Sequence, residues 1–340
     1  MKAMVLAAGL GTRLKPLTYE LPKPMVPVLD RPVMAHIVGA LERQGFDEIV
    51  ANVHYYPETI EGYFGDRITY RHERELLGTA GGVRNVADFF GEEPIVIVSG
   101  DALTDVDLNA LVERHRSAGG IATLTVKKVP DTREFGVVIH DADGRIQGFQ
   151  EKPDPSEALS DLGNCGIYCF DREIFDYFPS EPFADWANDV FPALLEHDVP
   201  FFVHEISDYW NDVGSLEELR QGTFDVLAGA IGLEVSGERV APDLIVGEGS
   251  DIGGLDVVED KGPVWVGAGC EIGSDVRVIG PAVIGDNVRI GDRASLRESI
   301  VFPGNEVAPG SILIDAIAGS TGIVASLRPY GELSSQPSVG

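Results

Sequence analysis

A six-residue repeat over residues 266–301 constrains the fold of this chain more than any other feature. Each of six consecutive blocks opens with an aliphatic residue, and a small or apolar residue follows four positions later. The opening residues are Val266, Ile272, Val278, Ile284, Ile290 and Leu296. This register is typical of a parallel β-helix in which three blocks form one triangular coil. We therefore predict a short left-handed parallel β-helix of hexapeptide repeats over residues 239–317.

Before the repeat, strand-like and helix-like segments alternate along the chain. The apolar strand candidates are Ala3–Ala8, Glu48–Val53, Ile68–Arg71, Ile95–Ser99 and Ala122–Val126. The amphipathic stretches between them are Val33–Gln44, Glu58–Phe64, Ala80–Phe89 and Leu108–Ala118. Such alternation predicts an α/β domain with a doubly wound, mainly parallel sheet covered by helices. We assign this domain to residues 1–233 and leave residues 318–340 as a C-terminal tail.

The balance of charges limits the partners that this chain can have. Its 55 acidic residues outnumber 26 Lys and Arg residues, and the formal net charge of −29 argues against nucleic-acid and membrane partners. No apolar run approaches the ~20 residues of a membrane span, and no small-residue cleavage site follows the first residues. We therefore expect a cytoplasmic protein. The three cysteines lack metal-ligand spacing, which indicates reduced, buried thiols.

One short segment near the start runs against this acidic composition. Gly9 and Gly11 follow the first predicted strand, and the cations Arg13 and Lys23 come shortly after them. Two glycines let the backbone turn tightly and present N–H groups to phosphate oxygens, which Arg and Lys can also bind. A dinucleotide-binding loop would need Gly where Leu14 stands, and the Gly-Lys-Ser/Thr of a Walker A loop is missing. We predict a phosphate-binding loop of another kind.

The same segment carries a family resemblance. Gly-Leu-Gly-Thr-Arg-Leu at residues 9–14 and Pro-Lys-Pro-Met-Val-Pro-Val at residues 22–28 resemble the signature of the sugar-phosphate nucleotidyltransferases, also called nucleotide-sugar pyrophosphorylases. Further motifs follow in the order typical of that family, so the resemblance covers nearly the whole chain. These motifs are Leu77–Gly81, Ser99–Asp101, Phe135–Val137, Phe149–Pro153, Asn164–Tyr168 and Trp210–Gly214. One departure is Cys165, where relatives usually have Ala.

The resemblance implies a Rossmann-like nucleotidyltransferase domain and a role for each motif. The expected catalytic residues are Arg13, Lys23, Asp101 and Asp212. The residues expected to hold the nucleoside triphosphate are Ala7, Ala8, Gly9, Gly11, Thr12, Arg13, Gly78, Thr79 and Gly81. The residues expected to hold the sugar phosphate are Gly136, Glu151, Lys152, Asn164 and Gly166. Glu73 or Glu75 is a further candidate beside the nucleotide, and the sequence does not choose between them.

The resemblance also implies a chemistry that needs no protein nucleophile. A sugar-phosphate oxygen would attack the α-phosphorus of the triphosphate, and a phosphate monoester is largely ionised at pH 7 because its second pKa is about 6. The enzyme then needs positioning and charge neutralisation. Asp101 and Asp212 resemble a carboxylate pair that holds Mg²⁺, a hard cation that takes one or two carboxylates together with substrate phosphates.

Several alternatives for the function stay open at the level of the sequence. The motif variants most resemble those of enzymes that use GTP and mannose 1-phosphate, but thymidylyl and uridylyl relatives acting on glucose 1-phosphate share most of the same residues. Acyl transfer, which some hexapeptide β-helices catalyse with a His base, is disfavoured because all seven His residues precede the coils. The alternative of another class is a non-catalytic subunit that binds nucleotide-sugars. The exposed faces of a β-helix favour a homo-oligomer.

Overall fold

The computed structural model describes residues 1–324, and these residues form two compact units. The first, which we call the sheet unit, consists of Met1–Leu10, Pro22–Met25 and Val33–Asp212. The second, which we call the coil unit, consists of Gly11–Leu21, Val26–Pro32 and the chain from Val213 onward. Residues 325–340, which make up most of the predicted tail, lie outside the described range. The predicted domain limits at residues 233 and 239 stay a prediction.

The sheet unit holds a nine-stranded sheet, a two-stranded sheet and five α-helices. Its strands are β1 (Lys2–Leu6), β2 (Glu48–Val53), β3 (Thr69–His72), β4 (Ile95–Ser99), β5 (Leu103–Thr104), β6 (Ala122–Lys128), β7 (Gly136–His140), β8 (Ile146–Glu151), β9 (Leu162–Phe170), β10 (Phe201–Glu205) and β11 (Trp210–Asn211). Its helices are α1 (Val33–Arg43), α2 (Pro57–Phe64), α3 (Gly78–Arg84), α4 (Leu108–Ala118) and α5 (Phe191–Glu196).

The large sheet has a parallel centre and an antiparallel flank. Strands run in the order β8-β7-β9-β4-β1-β2-β3, and β6 pairs with both β9 and β10. Strands β4, β1, β2 and β3 are parallel, which confirms the predicted α/β sheet. Strand β9 is antiparallel to β4 and β6. No α-helix lies between β6 and β9, and a parallel neighbour needs a crossover connection that is usually an α-helix.

Local sequence signals set the ends of the helices. Asp107 caps α4, because its Oδ1 atom accepts a hydrogen bond from the Ala110 N–H at 3.0 Å. At the other end of α4, Gly119 adopts the left-handed conformation with φ of 71°, which glycine tolerates without strain. The predicted limits of this helix, Leu108–Ala118, are confirmed.

Aromatic and aliphatic side chains fill the core of the sheet unit. Phe191 and Phe201 are fully buried and stack with ring centroids 6.3 Å apart. Ile97 and Leu124, from strands β4 and β6, belong to the same buried cluster. Each such side chain contributes about 1.5–3 kcal/mol when it is fully removed from water. This packing holds the strand ends in fixed positions.

The coil unit is built mainly from parallel strands that stack in three sheets. Its described part also has one α-helix, α6 (Leu216–Leu227), and a short hairpin of Pro27–Val28 and Arg31–Pro32. Its strands are β12 (Glu238–Ala241), β13 (Leu244–Val246), β14 (Leu255–Val258), β15 (Val264–Val266), β16 (Glu271–Ile272), β17 (Val276–Ile279), β18 (Ala282–Ile284), β19 (Arg289–Ile290), β20 (Ser295–Arg297), β21 (Ile300–Val301), β22 (Glu306–Val307), β23 (Ile312–Ile314), β24 (Ile317–Gly319) and β25 (Gly322–Val324).

The register of these strands confirms the predicted hexapeptide β-helix. Val264 pairs with Ala282, 18 positions later, so three blocks of six residues make one coil. Ile300 pairs with Ile317, only 17 positions later, so a later coil is one residue shorter. The six block-opening residues are at most 8% exposed, because they point into the apolar interior of the coil.

A buried ion pair joins α6 to the coils within the same unit. Arg220 Nη1 lies 3.1 Å from Asp315 Oδ1 and also donates to the carbonyl oxygen of Glu298 at 3.1 Å. Both side chains of the pair are less than 10% exposed. A buried charge requires a partner of this kind. Within residues 1–324, no helix has both the length and the apolarity that crossing a membrane requires.

Candidate active site

The first predicted loop begins directly after β1, at the carboxyl edge of the parallel strands. Ala7 and Ala8 are buried, whereas Gly9 is exposed. The Ala7 N–H donates to Asn52 Oδ1 at 2.9 Å, which fixes the first residue of the loop against the end of β2. A Cβ atom at Gly9 would meet no atom within 4 Å, so packing does not require glycine there. The open space beside Gly9 lets a ligand approach the backbone closely.

Lys23 contacts both of the segments that contain the predicted catalytic carboxylates, Asp101 and Asp212. Its Nζ atom lies 2.6 Å from Asp101 Oδ2 and donates to the carbonyl oxygen of Asp212 at 3.1 Å. The Lys23 side chain is only 11% exposed, and that of Asp101 is 27% exposed. All three residues belong to the sheet unit. Two of the three donors of the ammonium group are therefore engaged, and they tie together motifs that are distant in sequence.

The strands explain how Asp101 and Asp212 meet although 111 positions separate them. Asp101 lies two residues beyond β4, which is buried at the centre of the sheet. Leu103 in β5 pairs with Asn211 in β11, so this short antiparallel ladder places the two aspartates beside each other. The Ser99 hydroxyl donates to Asp101 Oδ1 at 2.6 Å and holds its carboxylate in orientation.

The donor set of these two aspartates fits a magnesium ion. Within residues 1–324, no group of three or more His, Cys, Asp or Glu side chains is arranged so that it could hold a metal ion. A pair of carboxylates suits Mg²⁺, because this ion keeps several waters and takes the remaining ligands from substrate phosphates. The Asp101 and Asp212 carboxylates would supply hard oxygen donors. The Lys23 ammonium group, 2.6 Å from Asp101 Oδ2, offsets the negative charge of the Asp101 carboxylate.

The predicted nucleotide loop around α3 packs tightly against residues 182–186. The N–H groups of Ala80 and Gly81 both donate to the Ala184 carbonyl oxygen at 3.0 Å. A Cβ atom at Gly81 would lie 2.6 Å from the Pro182 carbonyl oxygen, so no larger residue fits there. Gly78 has φ of 77° and its missing Cβ would collide with Ala184. The close packing therefore requires glycine at both positions.

Thr79, the remaining predicted residue of this loop, is engaged with the same segment. Its hydroxyl donates to Asp185 Oδ2 at 2.7 Å and accepts from the Trp186 N–H at 3.1 Å. Asp185 also caps the helical turn that follows it, since its Oδ1 accepts from the Ala187 N–H at 3.0 Å. The side chain of Thr79 thus fixes the loop to the turn before α5.

The two glutamates that the sequence left open differ in their surroundings. Glu73 is 6% exposed and accepts hydrogen bonds from Asn52 Nδ2 at 2.7 Å and from the Leu77 N–H at 3.0 Å. Glu75 is exposed to solvent. His54 donates through Nδ1 to the Glu73 carbonyl oxygen at 2.9 Å. Glu73 therefore belongs to the fixed framework of the site.

Three of the predicted sugar-phosphate residues lie together at the β7–β8 hairpin. Gly136 pairs with Glu151, and a Cβ atom at Gly136 would lie 3.2 Å from Glu151 Oε2. The next residue, Lys152, has φ of 45° and donates through its backbone N–H to the Phe135 carbonyl oxygen at 3.2 Å. The side chains of Glu151 and Lys152 are exposed and accessible to a ligand.

The other two predicted sugar-phosphate residues form an irregularity in β9. Gly166 adopts φ of 69°, and its N–H donates to Asn164 Oδ1 at 3.0 Å. A Cβ atom at Gly166 would lie 3.2 Å from Ser99 Cβ, so glycine lets this strand approach the residue that orients Asp101. Burial raises the pKa of the Cys165 thiol, which keeps it neutral between them. Trp210 Nε1 donates to the Cys165 carbonyl oxygen at 2.9 Å.

Gly11, Thr12 and Arg13 belong to the coil unit. Gly11 has φ of 60° and begins a single turn of 3₁₀-helix at Thr12–Leu14. The Thr18 hydroxyl donates to the Gly11 carbonyl oxygen at 2.8 Å and stabilises this turn. Leu14 is buried while Arg13 is exposed. The participation of Arg13 in the site stays a prediction from the sequence.

Two residues of the framework were missed at the level of the sequence: Asn52 and Asp185. Asn52 is 3% exposed and is the one polar residue within the buried part of β2, Ile49–Val53. A polar side chain in such an apolar strand is a signal that could have identified it, because a buried amide needs hydrogen-bonding partners. Asp185 gave no comparable signal, since it lies at the start of a helical turn, where polar residues are common.

Comparisons with known proteins agree with this arrangement. Residues 2–228 match the model of the family described as Nucleotidyl transferase, and residues 263–298 match the bacterial transferase hexapeptide (six repeats). A UTP–glucose-1-phosphate uridylyltransferase from Synechocystis is 38% identical over 337 residues, covering 93% of this chain and 87% of that protein. A mannose-1-phosphate guanylyltransferase from Mycobacterium tuberculosis is 35% identical over 298 residues, covering 85% and 80%.

A solved structure shares the fold of much of this chain. It is a proposed glucose-1-phosphate thymidylyltransferase from Bacillus anthracis, with a TM-score of 0.61 and 25% sequence identity. The match covers 69% of this chain and 97% of that one. The family model spans more than half of the chain, and the two relatives exceed 30% identity over most of their length. The protein therefore belongs to the nucleotidyl transferase family.

Proposed function

We propose that this protein transfers a nucleotidyl group from a nucleoside triphosphate to a sugar 1-phosphate, forming a nucleotide-sugar and releasing pyrophosphate. The observation that carries the proposal is the contact of Lys23 with Asp101 at 2.6 Å and with the backbone of Asp212 at 3.1 Å. It joins the motifs expected to bind phosphates and metal in one place. The relatives from Synechocystis and Mycobacterium tuberculosis, both named as sugar-1-phosphate nucleotidyltransferases, support the same reaction.

In the proposed reaction, an ionised oxygen of the sugar phosphate forms a bond to the α-phosphorus. The bond from that phosphorus to the bridging oxygen of the β-phosphate breaks, and pyrophosphate leaves with the electron pair. Negative charge is redistributed over the phosphate oxygens during this step. Holding the two substrates in position and neutralising that charge therefore lower the activation barrier. The third donor of Lys23 is suited to a phosphate oxygen, and Arg13 is proposed to stabilise the charge that develops on pyrophosphate.

Asp101 and Asp212 are proposed to hold Mg²⁺, which when bound would neutralise phosphate charge. Ser99 keeps the Asp101 carboxylate oriented for this role. The proposed contacts with the triphosphate come from Ala7, Ala8, Gly9, Gly11, Thr12, Gly78, Thr79 and Gly81. The proposed contacts with the sugar phosphate come from Gly136, Glu151, Lys152, Asn164 and Gly166. Residues 1–233 would form this catalytic domain.

The choice of substrate is a separate part of the proposal. We favour GTP and mannose 1-phosphate, because the motif variants resemble enzymes that use this pair and the Mycobacterium tuberculosis relative is named for it. UTP and glucose 1-phosphate are the second candidate, since the Synechocystis relative, at 38% identity, is named for that pair. A homo-oligomer and a cytoplasmic location stay predictions.

A substrate panel tests the proposal directly. The full-length protein is incubated with Mg²⁺, each of GTP, UTP, dTTP, ATP and CTP, and either mannose 1-phosphate or glucose 1-phosphate, and pyrophosphate release is measured. We expect the highest kcat/KM with GTP and mannose 1-phosphate, and no release when EDTA removes the metal. Fastest turnover with UTP and glucose 1-phosphate would reassign the substrates. No turnover with any pair would favour the non-catalytic binding subunit instead.

A further inference from the structure

A buried chain of hydrogen bonds links the two loops proposed to hold the nucleoside triphosphate. Asn52 Oδ1 accepts from the Ala7 N–H at 2.9 Å, and Asn52 Nδ2 donates to Glu73 Oε1 at 2.7 Å. Glu73 Oε2 in turn accepts from the Leu77 N–H at 3.0 Å. Ala7 precedes the Gly9 loop, and Leu77 precedes Gly78. We call the Asn52 and Glu73 side chains with these two N–H groups the buried bridge.

The buried bridge needs a specific explanation, because removing the Asn52 and Glu73 side chains from water costs free energy. Asn52 is 3% exposed and Glu73 is 6% exposed, and a carboxylate removed from water is tolerated only when its oxygens accept good hydrogen bonds. Helix α3 leaves room for it, because a Cβ atom at Gly82 would lie 2.7 Å from Asn52 Nδ2 and 2.8 Å from Glu73 Oε1. The buried bridge therefore explains why glycine occupies position 82 in helix α3.

We propose that Asn52 and Glu73 are positioning residues for the nucleoside triphosphate. They set the distance between the loop after β1 and the loop that begins α3. This inference rests on the proposed function, because it assumes that these two loops bind the triphosphate. The bridge makes no hydrogen bond to Glu151, Lys152 or Asn164, so the sugar-phosphate side of the site is outside its direct reach.

The direction of the hydrogen bonds allows a sharp test, since the bridge can be rebuilt with its polarity reversed. In Glu73→Gln, an amide N–H₂ faces either Asn52 Nδ2 or the Leu77 N–H, so one donor loses its acceptor. In Asn52→Asp, two carboxylates face each other across a 2.7 Å contact. In the double variant, Asp at position 52 accepts from Ala7 and from the new Gln at position 73, whose oxygen accepts from Leu77. The double variant has the same net charge as the natural chain.

The experiment measures KM for both substrates and kcat for the natural chain, the two single variants and the double variant, using the substrate pair with the highest turnover. We expect each single variant to raise KM for the triphosphate about tenfold or more, with KM for the sugar 1-phosphate changed less than about twofold. We expect the double variant to return the triphosphate KM to within about threefold of the natural value. Glu92→Gln, an exposed charge change in the same unit, should alter neither KM.

The other outcomes also decide for or against the proposal. If the single variants melt at a lower temperature but keep the natural KM, the bridge serves stability alone. If a single variant does not fold, the double variant still decides, because a natural KM supports the bridge. A raised KM in a folded double variant, or failure of that variant to fold, contradicts it. The proposed function fails separately, by absence of turnover in the natural chain.

Discussion

At the scale of single residues, the buried ammonium group of Lys23 organises the proposed catalytic centre. A charge that is 11% exposed must be paired to be tolerated, and Asp101 supplies that pairing at 2.6 Å. The same contact neutralises part of the charge of the Asp101 carboxylate. Lys23 therefore has a structural reason to be present in addition to its expected contact with phosphate.

Substitution of the two aspartates tests this centre. We expect Asp101→Asn and Asp212→Asn each to lower kcat about 100-fold or more, because each removes a carboxylate proposed to bind Mg²⁺. Arg13→Ala should cause a loss of similar size if it stabilises pyrophosphate. Circular dichroism would check that the variants fold, and Asp143→Asn, at an exposed position, is the control. A near-normal rate in either aspartate variant would remove that residue from the metal site.

The cysteines allow a prediction that is independent of activity. All three are buried, and burial raises the pKa of the Cys165 and Cys169 thiols. Since the thiolate is the reactive form, the native protein should react with a disulfide reagent at pH 8 about 100-fold or more slowly than a free thiol. In denaturant, all three thiols of each chain should react rapidly with the reagent. Rapid labelling of the native protein at Cys165 would show that the strand around it opens.

At the scale of elements, glycines define how α3 packs. Gly81 lies in a helix that contacts Pro182 and Ala184, whereas Gly62 lies in helix α2 with open space around it. The two positions share a residue type and a secondary structure but differ in their surroundings. Replacing each glycine by alanine therefore distinguishes the effect of helix propensity on stability from the effect of packing.

We expect Gly81→Ala to destabilise the protein by about 1–3 kcal/mol, because its Cβ would lie 2.6 Å from the Pro182 carbonyl oxygen. Gly62→Ala should instead stabilise it by about 0.5–1 kcal/mol, since alanine is the better helix former. Urea unfolding measures both changes. If the two variants changed the free energy of unfolding in the same direction, the packing of α3 against residues 182–184 would be wrong.

At the scale of the whole molecule, charge and the repeat architecture dominate. The chain carries a formal net charge of −29, so the folded state is opposed by repulsion among its own acidic groups. The coil unit offsets part of this cost through a continuous apolar interior, in which each coil packs on its neighbours. Salt screens charges that are exposed and leaves the apolar interior little affected.

Raising NaCl from about 20 mM to about 300 mM should therefore raise Tm by about 2–5 °C. The measurement is a thermal melt followed by circular dichroism at pH 7.5. A matched series with an uncharged osmolyte of equal osmolality separates screening from general stabilisation by the solute. A fall in Tm with salt would mean that attractive ion pairs outweigh the repulsion.

The sequence by itself determined the hexapeptide β-helix and the order of the motifs. A six-residue period needs no distant contact to be recognised, because each coil repeats the environment of the one before it. It also nominated Lys23, Asp101 and Asp212 as candidate site residues, since their residue types and motif context are those expected for phosphate and metal chemistry. The alternation of strands and helices likewise predicted the parallel centre of the sheet.

Only the tertiary structure decided how these parts meet. The pairing of Lys23 with Asp101 and the partnership of Asn52 with Glu73 are contacts between residues 21 or more positions apart. The burial of Glu73, in contrast to the exposed Glu75, also follows from tertiary packing. Local propensity carries no information about such distances. They follow from packing β1, β2, β3 and β4 side by side, which brings the polar ends of separate strands to one edge.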